Sequence, residues 1–406
     1  MRHLANANSI SNKKVFIQDG KISRVVSIED KAPDQNDSCL NLKNKVLFPG
    51  FVDVHVHLDK AFTWPNITNR SGTLKEAIAN YQANQHTMTV EDMKKRMALN
   101  VQYALRHGTT AMRTHLDFGT PAYLEKVVQA FQSVKETYAG DIYLEAVLMC
   151  PHEIEAKDEQ LIKWALREGI DLLGGAPHLS PYPRANIDKI FDIAVSFNVD
   201  VDLHVDESDD PRVNTITDVC HFTVQARYEG RVTAGHCTSL AAMDQAEADE
   251  VMALIKEARV GIVTLPATNL YLMGREDVGL IRRGLTRVKE LIARGIPVAV
   301  ASDNVRDPFH PYGKADLLQM ILLASYAAHM TSEHEMDKLF EMITHIPASM
   351  MGLESYGLNV GDWADFVVMP GDDPKLLLAE LPVSREVWKH GRKVCSVTKD
   401  VAWHRH

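Results

Sequence analysis

His55 and His57 stand two residues apart at the end of an apolar run, Phe51-Val52-Asp53-Val54-His55-Val56-His57. In a strand, side chains two apart share a face, so both imidazoles project the same way. Neutral imidazole is a common ligand for zinc and iron. Three further apolar runs end in groups of the same kind: His204-Val205-Asp206-Glu207, Gly235-His236 and Ser302-Asp303-Asn304. Taken singly, each has a bland explanation, such as a buried histidine satisfied by a carbonyl or an aspartate capping the next helix. Taken together, three histidines and one carboxylate suit a single catalytic ion that still accepts water. The run Gly174-Gly175-Ala176-Pro177-His178 offers no lysine that could bridge a second metal, so one ion is expected.

Eight short apolar runs read as buried strands: Leu47–Leu58, Thr109–Asp117, Ile142–Cys150, Leu172–Leu179, Val199–Val205, Val232–His236, Val260–Leu265 and Val298–Ser302. Amphipathic stretches lie between them, among them Thr73–Gln82, Val90–His107, Ala122–Tyr138, Lys157–Glu168, Arg184–Phe197, Ser239–Ala258 and Leu280–Arg294. Eight strands, each followed by a helical pattern, close a parallel (β/α)8 barrel of the TIM type, whose sites are built at the C-terminal ends of the strands. Ser332–Met351 adds one helix outside that set. The ends differ from the middle. Val15–Val26 reads as a hairpin around Asp19-Gly20, and Ala364–Met369 and Val387–Val394 read as short strands turning at Gly371 and Gly391. The expected organisation is an α/β chain with residues 49–352 as the barrel, and residues 1–48 and 353–406 as two halves of a small β-sandwich.

Of the 406 residues, 45% are hydrophobic and 24% charged, which is ordinary for a globular protein. The net charge of −10 argues against a nucleic-acid backbone as partner, because phosphate binding needs a basic surface. Met1–Lys14 has no apolar stretch of signal-peptide length, and no run approaches the roughly 18 apolar residues of a membrane span. The five cysteines, Cys39, Cys150, Cys220, Cys237 and Cys395, are odd in number and form no CxxC pair. They read as reduced thiols, Cys237 included, although it follows His236 directly. A cytoplasmic protein is expected, and association into a homo-oligomer is left open.

Beyond these patterns, the chain resembles the amidohydrolase superfamily, and within it the cytosine deaminase branch. The resemblance runs from Pro49-Gly50-Phe51-Val52-Asp53 to Met351-Gly352-Leu353. It is carried by His55-Val56-His57-Leu58-Asp59, Ser71-Gly72-Thr73-Leu74, Arg113-Thr114-His115-Leu116-Asp117, His204-Val205-Asp206-Glu207, Arg231-Val232-Thr233-Ala234-Gly235-His236, Arg283-Gly284-Leu285-Thr286-Arg287 and Asp303-Asn304-Val305-Arg306-Asp307-Pro308-Phe309. It implies His55, His57, His204 and Asp303 as ligands of one divalent metal ion, zinc or iron, with manganese also compatible. It implies Glu207 as the proton-shuttling glutamate, and His236, with Asp303, as the group that holds the attacking water.

Two positions depart from the branch. Its pyrimidine-reading glutamine falls on His152, which cannot reproduce an amide's paired donor and acceptor. Its second aspartate falls on Asn304, which removes one negative charge beside the leaving amino group. Asn304 and Lys60 instead resemble the N-alkylammelide hydrolases, a branch that lacks the glutamate equivalent to Glu207. Lys60 is read first as an internal salt bridge and second as a substrate contact, and Phe309 as a surface for stacking a planar ring. The function expected is hydrolytic deamination of a small heterocyclic base, with cytosine or 5-methylcytosine first. Isoguanine or an N-alkylaminotriazine comes second. A non-catalytic ligand-binding barrel is the reading from a different class, and the complete donor set argues against it.

Overall fold

The structure is a computed structural model that describes residues 13–27, 29, 45–371 and 373–404. Cys39, His406 and most of the Met1–Lys14 segment lie outside the described residues.

The N-terminal hairpin pairs β1 (Lys13–Gln18) with β2 (Lys21–Ser27). Its two-residue turn has positive φ at both Asp19 (52°) and Gly20 (77°), the geometry that suits the right-handed twist of paired strands. The next strand, β3 (Lys45–Pro49), leads directly into the barrel. The barrel strands are β4 (Phe51–Val56), β5 (Thr109–Asp117), β6 (Tyr143–Cys150), β7 (Leu172–Gly175), β8 (Val201–Val205), β9 (Val232–His236), β10 (Gly261–Thr264) and β11 (Val298–Val300). They pair in parallel and in sequence order. A parallel bridge between Val56 and Asp303 brings the first and last members together. The expected (β/α)8 architecture is present.

Three sequence expectations need correction. The run Leu47–Leu58 is not one strand but two, β3 and β4, parted at Gly50. A Cβ on Gly50 would lie 2.1 Å from the Thr110 hydroxyl oxygen, so only glycine lets the backbone pass there. The helix expected over Leu280–Arg294 is only Val288–Ala293. Gly279 and Gly284 adopt positive φ, and Val278, Leu280 and Ile281 face solvent, so the apolar spacing there marked no buried face. Ser332–Met351 forms two helices, Glu333–Glu341 and His345–Met350. Pro347 has no N–H to donate and its ring would crowd the preceding turn, which confines it to the start of the second helix.

β3 joins the C-terminal strands β12 (Phe366–Pro370), β13 (Arg385–Lys389) and β14 (Arg392–Val397) in an antiparallel sheet of order β14-β13-β12-β3. The β1–β2 hairpin is a separate sheet, bonded to the C-terminal segment through Ile22 N–H to Asp362 and a Lys21–Trp363 bridge. Ile22, Leu47, Leu358, Phe366 and Val368 share one apolar cluster. Both ends of the chain therefore contribute to the β structure beside the barrel.

Along β4 the period of two divides the side chains. Val52 and Val54 pack outward with Ala299, Ala301 and the helix His345–Met350. Asp53 and His55 alternate with them and face the barrel interior, and His57 follows in the same phase just beyond the strand. Asp53 accepts from the amide (3.0 Å) and hydroxyl (2.5 Å) of Ser302, which fixes the register of the β11 end against the strand that carries the histidines.

Candidate active site

The C-terminal ends of the barrel strands bring four donor atoms together. Nε2 of His204 lies 3.2 Å from Nε2 of His55 and 3.0 Å from Nε2 of His57. Oδ1 of Asp303 lies 3.7 Å from the former and 3.4 Å from the latter. Ligands about 2.0–2.1 Å from one ion, at the angles of four- or five-coordination, stand roughly 3.0–3.6 Å apart. Three of the four separations fall in that range, and the His55–Asp303 distance lies just above it.

The chemistry of the set fits as well. Burial holds His55, His57 and His204 far below the usual imidazole range, with neighbouring histidines and Lys60 adding to the effect, so their rings are neutral. The carbonyl of His115 accepts from His57 Nδ1 (3.2 Å), which leaves the lone pair of His57 on Nε2, facing the cluster. Both carboxylate oxygens of Asp303 are buried and, among the described residues, have no well-formed hydrogen bond, with only the Thr268 hydroxyl alongside. Burial pushes its pKa up to about 8. An unpaired buried carboxylate is costly, and a divalent cation among these donors would remove that cost.

Backbone strain accompanies the site. Asp206, His236, Cys237 and Asp303, all at strand ends, adopt left-handed φ of 49–68°. Such conformations cost of order 1–3 kcal/mol each and persist only when their surroundings over-determine them. For Asp206 the cause is visible. Its carboxylate accepts from Thr215 N–H (2.9 Å), Thr215 Oγ1 (2.6 Å) and Ile216 N–H (3.0 Å), and its carbonyl accepts from Thr238 N–H. These bonds hold the chain on either side of Glu207.

Glu207 is buried, and its carboxyl is pushed well above the usual range by burial and by the nearby Asp303. Its Oε1 lies 3.2 Å from His236 Nδ1 and accepts from Asn269 Nδ2 at 3.2 Å. Asn269, fully buried in the helix Pro266–Leu272 beyond β10, also reaches His236 Nδ1 at 3.0 Å. Sequence reasoning missed Asn269. The available signal was a polar residue inside a short helix that leaves a barrel strand, where asparagine is unfavourable unless its amide has partners.

Glu207 and His236 lie in the wall of a cavity of about 470 Å3 at the barrel mouth. The same wall includes His57, Lys60, His152, His178, His204, Asp303, Asn304 and Phe309, so the structure gathers the expected site residues there; His55 sits behind this surface. Leu74 and Ile78 come from the helix Leu74–Asn84, whose start is capped by Thr73 accepting from Glu76 N–H. Lys60 donates to Asp117 (2.6 Å) and lies 3.3 Å from Asp59, and these carboxylates raise its pKa to about 12 despite burial. Asn304 gives its amide nitrogen to Asp307 (2.8 Å), which leaves its carbonyl oxygen as the uncommitted end. Asp307 also accepts from Phe309 N–H (2.9 Å) and so sets the turn that carries the ring.

Among the histidines without an assigned role, His115 stacks on His55 at 3.9 Å and meets Asp202 at 3.2 Å, beneath the cluster. His178 gives its Nδ1 hydrogen to the carbonyl of His204 (3.2 Å). His345 packs edge-on against Tyr356, in the helix that covers β4. Cys237 is buried, with its thiol turned to the Gly235 carbonyl and held protonated by burial.

A family model for amidohydrolases matches residues 87–395. The chain belongs to the amidohydrolase family. This amidohydrolase is 33% identical over 359 residues to a pterin deaminase of Rhizobium rhizogenes, covering 87% of this chain and 82% of the relative. It is 28% identical over 387 residues to the N-isopropylammelide isopropyl amidohydrolase of a Pseudomonas species, covering 91% of each. Among solved structures, the 5-methylcytosine deaminase of Klebsiella pneumoniae with 5-fluorocytosine bound superposes with a TM-score of 0.90 at 26% identity, covering 97% of this amidohydrolase and 96% of that chain. No helix among the described residues is long and apolar enough to cross a membrane.

Proposed function

We propose that this amidohydrolase hydrolytically deaminates a planar, amino-substituted nitrogen heterocycle, with one divalent metal ion held by His55, His57, His204 and Asp303. The observation that carries the reading is Glu207: a buried carboxyl with a raised pKa, beside a neutral histidine and a metal-type donor set, in the wall of the cavity at the barrel mouth. A divalent ion there would act as a Lewis acid and bring water to its conjugate base near neutral pH.

The chain's own residues account for the rest. His236 donates a hydrogen bond that orients the attacking water, Asp303 helps to hold it, and Glu207 takes its first proton. Glu207 carries that proton to the ring nitrogen next to the amino-bearing carbon, which general acid–base catalysis requires within hydrogen-bond reach. The water oxygen bonds to that carbon, the exocyclic C–N bond breaks, and the second proton leaves with the amine as ammonia. Phe309 stacks on the ring, the Asn304 carbonyl accepts from the departing amino group, and His152 contacts the distal edge. Lys60 acts through its ion pair with Asp117 and shapes the wall.

Cytosine and 5-methylcytosine remain candidates, supported by the superposition on the Klebsiella enzyme. A bicyclic aminopyrimidine of the pterin type stands ahead of them for two reasons. The relative with 33% identity is a pterin deaminase. The cavity of about 470 Å3 also falls in the ~300–1,000 Å3 range of sites for drug-sized ligands, with room for a bicyclic ring. A second reading, release of an alkylamine from a triazine, draws on Asn304 and on the Pseudomonas relative.

The test is an ammonia-release screen over pterin, cytosine, 5-methylcytosine, isoguanine and aminotriazines, with zinc, iron or manganese supplied in turn. Ammonia from pterin ahead of the others supports the reading. An alkylamine product in place of ammonia would favour the second one. Turnover of none of these compounds by metal-loaded protein would end both. Zinc or iron is the proposed ion, and the cytoplasm the proposed compartment.

A further inference from the structure

His236 has two ways to stand beside the donor set, and they have opposite chemical consequences. A neutral imidazole carries its proton on one nitrogen only. If Nδ1 held it, the ring would donate to Glu207 Oε1, 3.2 Å away. Nε2 would then present a bare lone pair. Ligand atoms of His55, His236 and Asp303 all lie within 4.8 Å of one another, so such a lone pair would add a ligand to the cluster. If Nε2 held the proton, His236 would be a donor and could not bind the ion.

Asn269 decides between these states. One amide nitrogen, with two hydrogens, lies 3.0 Å from His236 Nδ1 and 3.2 Å from Glu207 Oε1. Both contacts are satisfied when Nδ1 and Oε1 are acceptors. An N–H on Nδ1 would point at the amide hydrogens. With Glu207 ionised, as it must be to take the water's proton, the reverse amide orientation would set Oδ1 against its carboxylate oxygen. Asn269 is fully buried in the helix that leaves β10, so it has little freedom to turn elsewhere. Nε2 of His236 is buried without a partner among the described residues.

We propose that Asn269 is a positioning residue that holds His236 as the Nε2–H tautomer, making it a hydrogen-bond donor toward the cluster and excluding it as a ligand. The same amide fixes Oε1 of Glu207, so Oε2 is the oxygen that exchanges the proton. The role in turnover rests on the deaminase reading above. The tautomer does not, because it follows from the contacts of the three side chains with Glu207 ionised.

The experiment is nitrogen NMR of protein labelled with ring-15N histidine, with the His236 signals assigned by their loss in His236→Gln. The expected wild-type spectrum shows Nδ1 unprotonated and Nε2 protonated. A spectrum with Nδ1 protonated overturns the proposal without any Asn269 variant having to fold. Asn269→Asp keeps the shape and replaces the donor by an acceptor, so the His236 pattern should reverse or become doubly protonated. In that variant kcat on the substrate found by the screen should fall about 10–100-fold, the usual scale for losing a partner of this kind. KM should hold, and Asn269→Ser, which restores a hydroxyl donor, should recover part of kcat. An unchanged His236 pattern in Asn269→Asp would refute the assignment. If the screen finds no substrate, the deaminase reading fails while the spectrum still decides the tautomer.

Discussion

The backbone amide of Asp303 donates to the carbonyl of His55 at 2.9 Å, and the amide of His57 donates back to the carbonyl of Asp303 at 3.3 Å. The first and last strands of the barrel are thus stitched together through the residues whose side chains form the donor cluster. Closure of the sheet and assembly of the site are one event. A disturbance of the β4–β11 seam should reach the cluster directly, with no intervening loop to absorb it.

The simplest chemical test is Glu207→Gln. The side chain keeps its size and a hydrogen-bonding oxygen but can no longer carry a proton. Metal content by elemental analysis should be unchanged, and ammonia release should drop by about 10^2–10^4-fold, the range for loss of a general acid–base group. Wild-type rates in this variant would remove Glu207 from the reaction.

Chelation should act on stability as well as on activity. Neutral imidazoles and an unpaired Asp303 favour the native state most when a cation lies between them, and a ligand that binds only the native state stabilises it by mass action. Thermal unfolding should begin at lower temperature after treatment with a chelator and recover when zinc, iron or manganese is returned. An unfolding midpoint insensitive to both treatments would contradict the donor set as a metal site.

Away from the site, His107 provides a pH-dependent contribution. Burial lowers its pKa from the usual 6.5 to about 4, with Arg385 and Lys314 adding to the effect and Asp316 opposing it. The unfolded chain therefore takes up this proton first as pH falls. Its contribution is complete above pH 6.5 and is lost between 6.5 and about 4, amounting to about 3 kcal/mol at most. Denaturant titrations of wild type and His107→Gln across that window should diverge, with the variant showing the shallower decline. Parallel curves would exclude His107 as the source.

Arg385 in β13 is fully buried and makes two bonds to Asp316, at 2.9 and 3.0 Å, tying the terminal sheet to the cap of the helix Leu317–Ala327. Arg385→Met should cost about 3 kcal/mol, the low end for breaking a buried pair, because Asp316 keeps only the half-exposed Lys314 (3.2 Å) as counter-charge. Adding Asp316→Asn should return part of that loss. Unfolding measured by circular dichroism would show both effects, and an additive double variant would mean that the pair is not coupled.

The barrel was legible in sequence because parallel strands buried on both faces read as near-continuous apolar runs, and eight such runs alternate with amphipathic ones. His55 and His57 were legible because two is the strand period. Other features were hidden for physical reasons. Gly50 parts β3 from β4 through its distance to Thr110, a residue sixty positions away that no local pattern reports. Leu280 and Ile281 mimic a helical stripe yet face solvent. Asn269 matters only through His236 and Glu207, which come from two other strands. The orientation of Asn304 depends on Asp307, whose part in holding an amide the sequence leaves unspecified.

The pairing of β3 with β12 orders events during synthesis. The strand that continues into His55 and His57 has its antiparallel neighbour in Phe366–Pro370, close to the other end of the chain. At ~5–20 residues per second, a ribosome needs roughly 15–65 s to make the intervening segment. For that interval the apolar segment of β3 lacks the only strand it pairs with among the described residues. The nascent chain must keep it from foreign strands until its own tail arrives.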